Sequence, residues 1–217
     1  MARTLSDLRA RCLPALALLP WLLLSGCAQI PLGDPAPSFE NIEKARASRT
    51  GPVAVGQFKL APGADPEIDK GLNVRSNTVF SPVGASFAQY LRQTLIADLQ
   101  AAGLYDDASP ATLSGFLTAS MLDVPSGTGQ ARLSARFVLV RTGQTVYDKE
   151  LHADASWQST FIGVEAIPAG INQYTTLYHK LVGKLLDDPD YRNANPQQPA
   201  VKEQVLPLAQ HLVSPMR

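Results

Sequence analysis

Gln130-Ala131-Arg132-Leu133-Ser134-Ala135-Arg136-Phe137-Val138-Leu139 is the stretch that decides the fold. Ala131, Leu133, Ala135, Phe137 and Leu139 alternate with Gln130, Arg132, Ser134 and Arg136. A period of two places each set on its own face of a pleated strand. Arg141-Thr142-Gly143-Gln144 reads as a turn, after which the pattern resumes. Tyr147, Leu151, Ala153, Ala155 and Trp157 take one side and Asp148, Glu150, His152 and Asp154 the other. Two such neighbours predict an antiparallel sheet covered on one face and solvated on the other.

Upstream, residues 112–122 read as another strand, and Val53-Ala54-Val55-Gly56-Gln57-Phe58 as a first one. Between them lies a loop over residues 60–79 and then a helix, with Ser81 as N-cap and Pro82 at its first position. Phe87, Leu91, Leu95 and Leu99, with Thr94 and Ala102, share one helical face, and Gly103 sits where a C-cap glycine belongs. Downstream, Tyr174, Leu177, Tyr178, Leu181 and Leu185 stripe a helix over residues 172–186, which Asp187-Asp188-Pro189 ends. Gly183 inside it costs about 1 kcal/mol relative to Ala, which predicts close packing at that point. The order β-α-β-β-β-α gives an α+β, two-layer sandwich, mainly antiparallel, with both helices on one sheet face.

The whole chain has 217 residues, 45% hydrophobic and 18% charged, with 19 basic and 19 acidic side chains. This composition excludes bulk disorder, a collagen-like fibre and a disulfide-stapled miniprotein. Zero formal net charge removes the electrostatic reason to expect nucleic-acid binding.

Residues 1–26 read as an address. Arg3, Arg9 and Arg11 form a basic start, followed by an apolar run from Leu13 to Leu24 interrupted by Pro14 and Pro20. That run is shorter than the roughly 20 residues a bilayer span needs and fits a signal peptide. Directly after it stands Leu24-Ser25-Gly26-Cys27, which resembles the lipobox of bacterial lipoproteins. The resemblance implies cleavage between Gly26 and Cys27, a diacylglyceryl group on Cys27 and an acyl chain on its freed amine. Two or three chains anchor stably where one does not. Ala28, where Asp would stand for retention in the enteric pattern, implies delivery to the outer membrane, on its periplasmic face.

Cys12 leaves with the signal and Cys27 carries lipid, so the mature body has no thiol for disulfides, metal binding or catalysis. Loss of Arg3, Arg9, Arg11 and Asp7 leaves 16 basic and 18 acidic residues, which offers no attraction to anionic head groups. Residues 27–50, with Pro31, Pro35 and Pro37, read as the lipidated Cys and a flexible tether of about 27 Å mean reach. Residues 51–191 form the folded domain, and residues 192–217 a Pro/Gln-rich disordered tail with a weak apolar patch at Val205-Leu206-Pro207-Leu208.

A lipobox, a Pro-containing tether and a small α+β body resemble envelope lipoproteins that accompany larger machines. Examples are the auxiliary lipoproteins of ABC-type lipid transporters and the lipopolysaccharide-assembly lipoprotein. The amphipathic helix that ends in Gly103-Leu104-Tyr105 before a strand is the most similar part. The likeness is architectural; it implies a transport or assembly role by analogy and assigns no functional residues.

No residue set here carries a reaction. His152, Asp154 and Ser156 share a strand face, but a triad needs a nucleophile aimed at a common reacting atom beside an oxyanion hole, and G-x-S-x-G is missing. His179 reads as a boundary residue. Asp65, Glu67 and Asp69 alternate as calcium ligands do, yet Pro66 interrupts them and no Glu follows at the needed offset. Gly127-Thr128-Gly129 joins two strands, so it reads as a hairpin turn and not a phosphate loop. The expectation is a protein that is not an enzyme, with no metal and no cofactor.

The segment after the last strand differs. Trp157, Phe161, Ile162 and Val164 crowd large apolar groups around Ser159, Thr160 and Gly163. Such a segment either folds back to close the core edge or stays exposed as a contact surface. The sequence therefore predicts a lipid-anchored, non-enzymatic accessory or scaffold component of an envelope assembly or transport complex. Its partners are the membrane, through Cys27, and an envelope protein. A carrier or sensor of an apolar ligand is the alternative, and a hydrolase a remote one.

Overall fold

The computed structural model describes residues 29–197. The lipobox, Gly26 and Cys27 included, and the patch at residues 205–208 lie outside the described residues. Twelve elements follow one another: β1 (Gln29–Pro31), α1 (Phe39–Ala47), β2 (Ala54–Leu60), α2 (Glu67–Lys70), β3 (Leu72–Val74), β4 (Asn77–Phe80), α3 (Phe87–Ala102), β5 (Ala111–Asp123), β6 (Gly127–Arg141), β7 (Gln144–Ser159), α4 (Gly163–Asp187) and α5 (Pro189–Ala194).

The α+β class and its two layers are as the sequence predicts. The main sheet runs β2-β5-β6-β7, with β2 parallel to β5 and the other pairs antiparallel. Ala131, Leu133, Ala135, Phe137 and Leu139 are buried under the helices, and Gln130, Arg132 and Arg136 face solvent. The turn between β6 and β7 carries positive φ at both Thr142 (47°) and Gly143 (82°), the backbone that matches the twist of a two-residue hairpin. Gly103 ends α3 in the left-handed conformation at φ 77°, with the Leu104 N–H bonded to the Leu99 carbonyl.

Phe58, Phe87, Phe137, Leu113, Leu117, Tyr174 and Tyr178 fill the space between the helices and the sheet. Phe58 meets Phe137 edge-on, and Phe87 meets Tyr174 in the same way. The buried phenols are satisfied in a chain, with Tyr174 bonded to both Ser120 and Tyr178 and Tyr90 donating to the Gly33 carbonyl at 2.8 Å. Burial pushes the Tyr90 hydroxyl up to about 12, so it stays a donor throughout the physiological range.

Five expectations need correction. Residues 29–50 are not a free tether. β1 pairs in parallel with β4, Leu32 and Ala45 join the core, and α1 lies against α3 and α4. The three prolines precede α1 and leave its nine residues uninterrupted. Residues 60–79 are not a simple loop, because α2, β3 and β4 form there, and β1-β4-β3 make a second, three-stranded sheet. Strands of three or four residues are too short to show a period.

Helix α3 starts at Phe87 with Ser86 as N-cap, five residues beyond Ser81. The Asp69 carboxylate accepts from both the Ser86 hydroxyl and the Ala88 N–H, which fixes the start there. Helix α4 begins at Gly163, well before residue 172, and takes Pro168 within its second turn. At the other end the fold passes residue 191. Asn195 bonds to Gly51 in both directions, and Thr50 bridges Pro196.

Candidate functional site

The predicted contact segment divides in two. Trp157 is half-buried at the end of β7, and its indole covers both Gly129 and Gly170. A Cβ at Gly129 would lie 2.4 Å from the ring, so that glycine is required by the close approach. Trp157 thus closes the core edge. Phe161, Ile162 and Val164 instead stand in solvent, 85%, 53% and 81% exposed. The described residues hold six exposed large hydrophobic side chains, and half of them fall within these four positions.

This tip is not a loose loop. Arg75, in the turn between β3 and β4 with φ 56°, reaches across to it. Its Nη1 donates to the Phe161 carbonyl at 2.9 Å, its Nη2 to the Thr160 carbonyl at 2.7 Å, and its Nε to the Val124 carbonyl at 2.9 Å. Charge-assisted bonds from one planar fork to three carbonyls hold position and angle together. Thr160 adds a local turn, its hydroxyl accepting from the Ile162 N–H at 3.1 Å. Beyond it α4 begins. Sequence reading missed Arg75, and no residue pattern near it signals that role; the signal is its positive φ and its reach over 86 positions to Phe161.

The same end of the molecule holds the start of β1. Gln29 pairs with Thr78, Ile30 with Val79 and Pro31 with Phe80, so β1 enters the sheet beside the turn that carries Arg75 and runs away from it. Ala28 alone separates Cys27 from Gln29. Whatever path the link takes, two residues span no more than about 7 Å between Cα atoms.

The solvent face of the main sheet is a lattice of paired charges. Arg132 Nε donates to Asp154 at 2.6 Å, Arg136 Nε to Asp148 at 2.6 Å, and the Thr118 hydroxyl to Glu150 at 2.6 Å. The guanidiniums of Arg132 and Arg136 hold the Asp154 and Asp148 carboxyls below their usual range. His152 is exposed on this face, but Asp154 turns to Arg132. His152, Asp154 and Ser156 are therefore placed together on one strand without forming a relay.

The other flagged groups serve the fold. Asp65 accepts from the Glu67 N–H at 3.0 Å in the turn that leads into α2, and Asp69 caps α3. Asp188 ends α4 and opens α5, where its carboxylate takes the Tyr147 hydroxyl, the Lys149 ammonium and the Asp190 N–H. His179 borders an open cleft of about 380 Å³ with Lys44, Lys180 and Lys184. Two of those cations are engaged, Lys44 by Glu40 and Asp187 and Lys184 by the His152 carbonyl.

No protein-family model matches the sequence, and no curated protein does. Among solved structures, the fold is similar to a DUF330-family protein from Xanthomonas campestris, at 14% identity and a TM-score of 0.46 over 74% of this chain and 92% of that one. It is also similar to a minor lipoprotein from Acinetobacter baumannii, at 16% identity and a TM-score of 0.36 over 69% of this chain and 98% of that one. A protein from Chlamydia trachomatis shares 11% identity at a TM-score of 0.38, over 67% of this chain and 99% of that one.

Proposed function

We propose that the chain is a lipoprotein anchored through Cys27 to the periplasmic face of the outer membrane. There it acts without catalysis, as an accessory or scaffold component of an envelope assembly or transport complex. The observation that carries this reading is the position of β1. The strand is built into the fold within two residues of the lipobox cysteine, so acyl chains on Cys27 hold the domain against the bilayer instead of letting it drift on a tether. Confinement raises the effective concentration of its exposed surfaces for any partner at that membrane.

The protein-facing surface is the outer face of β5, β6 and β7 together with the free edge of β7, along which no strand pairs among the described residues. Long edges recruit other chains by strand pairing, and charges along them select the partner. The carrier alternative draws less support, because aromatic and aliphatic side chains occupy the space between helices and sheet.

Photo-cross-linking in cells, on full-length lipidated protein with probes at Asn73, Arg136 and Val146, tests the reading. The expected result is one discrete protein adduct from the sheet-face or edge probes. Adducts to lipid alone from the Arg136 and Val146 probes would replace the scaffold role with that of a carrier. In the same cells Cys27→Ala should release the protein from membranes, and Ala28→Asp should shift it to the inner one.

A further inference from the structure

The exposed tip and the anchor point share one end of the molecule, and that coincidence identifies what the tip touches. Gln29 pairs with Thr78 beside the turn of Arg75, and Arg75 carries the backbone of Thr160 and Phe161 on its guanidinium. Cys27 is two residues away from Gln29. Any bilayer that receives acyl chains on Cys27 therefore lies against the end that presents Phe161, Ile162 and Val164. We propose that these three side chains dip into the lipid surface beside the anchor, as a second membrane contact that sets the tilt of the domain.

Chemistry favours lipid as the occupant. An aromatic ring and two branched aliphatic side chains on a pre-formed turn at a helix start suit the boundary between head groups and acyl chains. The mature chain carries a small excess of acidic residues, which offers no general attraction to anionic head groups, and the tip's cation, Arg75, is engaged by three carbonyls. The three carbonyl bonds from Arg75 keep the tip ordered before contact, which removes part of the entropy loss on insertion. The inference rests on the reading of Cys27 as lipidated.

The test uses full-length lipidated protein in vesicles of phosphatidylethanolamine and phosphatidylglycerol. The mature body holds no other thiol, so Phe161→Cys gives a single site for an environment-sensitive fluorophore. Gln144→Cys, at the far turn of the β6–β7 hairpin, gives the control. The expected result is blue-shifted emission from position 161 and at least about twofold quenching by spin-labelled lipid, with neither at position 144. Protein that floats with the vesicles while its 161 label stays water-exposed overturns the contact and leaves the anchor standing. A shifted label that spin-labelled lipid does not quench overturns it in favour of a protein surface, a second copy included. Protein that does not float overturns the anchor and the contact with it.

Discussion

The Asn41 side-chain amide donates to the fully buried carboxylate of Asp98 at 2.7 Å, joining α1 to α3 by a polar contact in place of an apolar seam. The Ser38 N–H binds the same carboxylate at 2.7 Å, and Asn41 also donates to the His179 carbonyl on α4 at 2.9 Å. An unpaired buried donor loses its water without compensation, at about 1–3 kcal/mol for each group. Asp98→Ala should therefore lower unfolding stability by about 2–4 kcal/mol. The readout is a fall in the urea midpoint at unchanged slope, with early loss of amide protection over α1.

Gly183 lies under the same contact. A Cβ there would come within 2.8 Å of Asn41 Oδ1, whose amide is held in place by two hydrogen bonds that a shift would strain. Ala gains about 1 kcal/mol of helix propensity over Gly, so a purely local effect would stabilise. Gly183→Ala should instead destabilise by about 1–2 kcal/mol, because overpacking outweighs propensity. Thermal unfolding decides the sign.

These contacts also explain what the sequence conceals. The hairpin of β6 and β7 is legible because Arg132 and Arg136 alternate with Leu133, Ala135 and Phe137, and one side of the sheet meets water. Gly183 advertises close packing because a glycine in a helix needs a reason. Helix α1 does not show itself, since it buries only Asn41 and Ala45 and docks through polar groups. The start of α3 misleads because Ser81-Pro82 has every local mark of a helix start, whereas Asp69, distant in sequence, selects Ser86. The tip is visible as an apolar cluster. Its exposure and its nearness to β1 depend on Arg75, a tertiary contact with no local pattern.

Gly115 tests the join of β2 to β5. A Cβ at that position would sit 2.3 Å from the Phe58 ring, which is buried edge-on against Phe137. Gly115→Ala should cost about 2–3 kcal/mol by overpacking. Phe58→Leu in the same chain should recover part of that loss, a coupling that a double-mutant cycle measures.

Arg75→Met keeps most of the side-chain length and removes all three carbonyl bonds. Stability should fall by about 1–2 kcal/mol, since the freed carbonyls of Thr160 and Phe161 reach water and that of Val124 is partly buried. Amide exchange over residues 160–164 should accelerate about tenfold or more while the core of β6 is unchanged. Uniform acceleration through the chain would contradict the clamp.

Asp188 gives a pH dependence. Burial works against its charge, but Lys149, the Asp190 N–H and the Tyr147 hydroxyl outweigh burial and keep its carboxyl below the usual range. A carboxyl with a lowered folded value stabilises fully above its unfolded value of about 4 and loses that contribution as pH falls through the folded one. The wild type should therefore lose stability below about pH 4 more steeply than Asp188→Asn. At pH 7 the variant should already be less stable by about 1–3 kcal/mol. Urea titrations at pH 7, 5 and 3 measure both.

The fifteen residues of β6 would give the proposed seating of the domain a vertical dimension. At about 3.3 Å per residue the strand is a post of at most about 50 Å, running from the Gly129 end to the turn at Thr142 and Gly143. With the proposed seating of that end on a bilayer, such a post would work as a ruler. It would set the altitude at which a partner docking along β7 could be met.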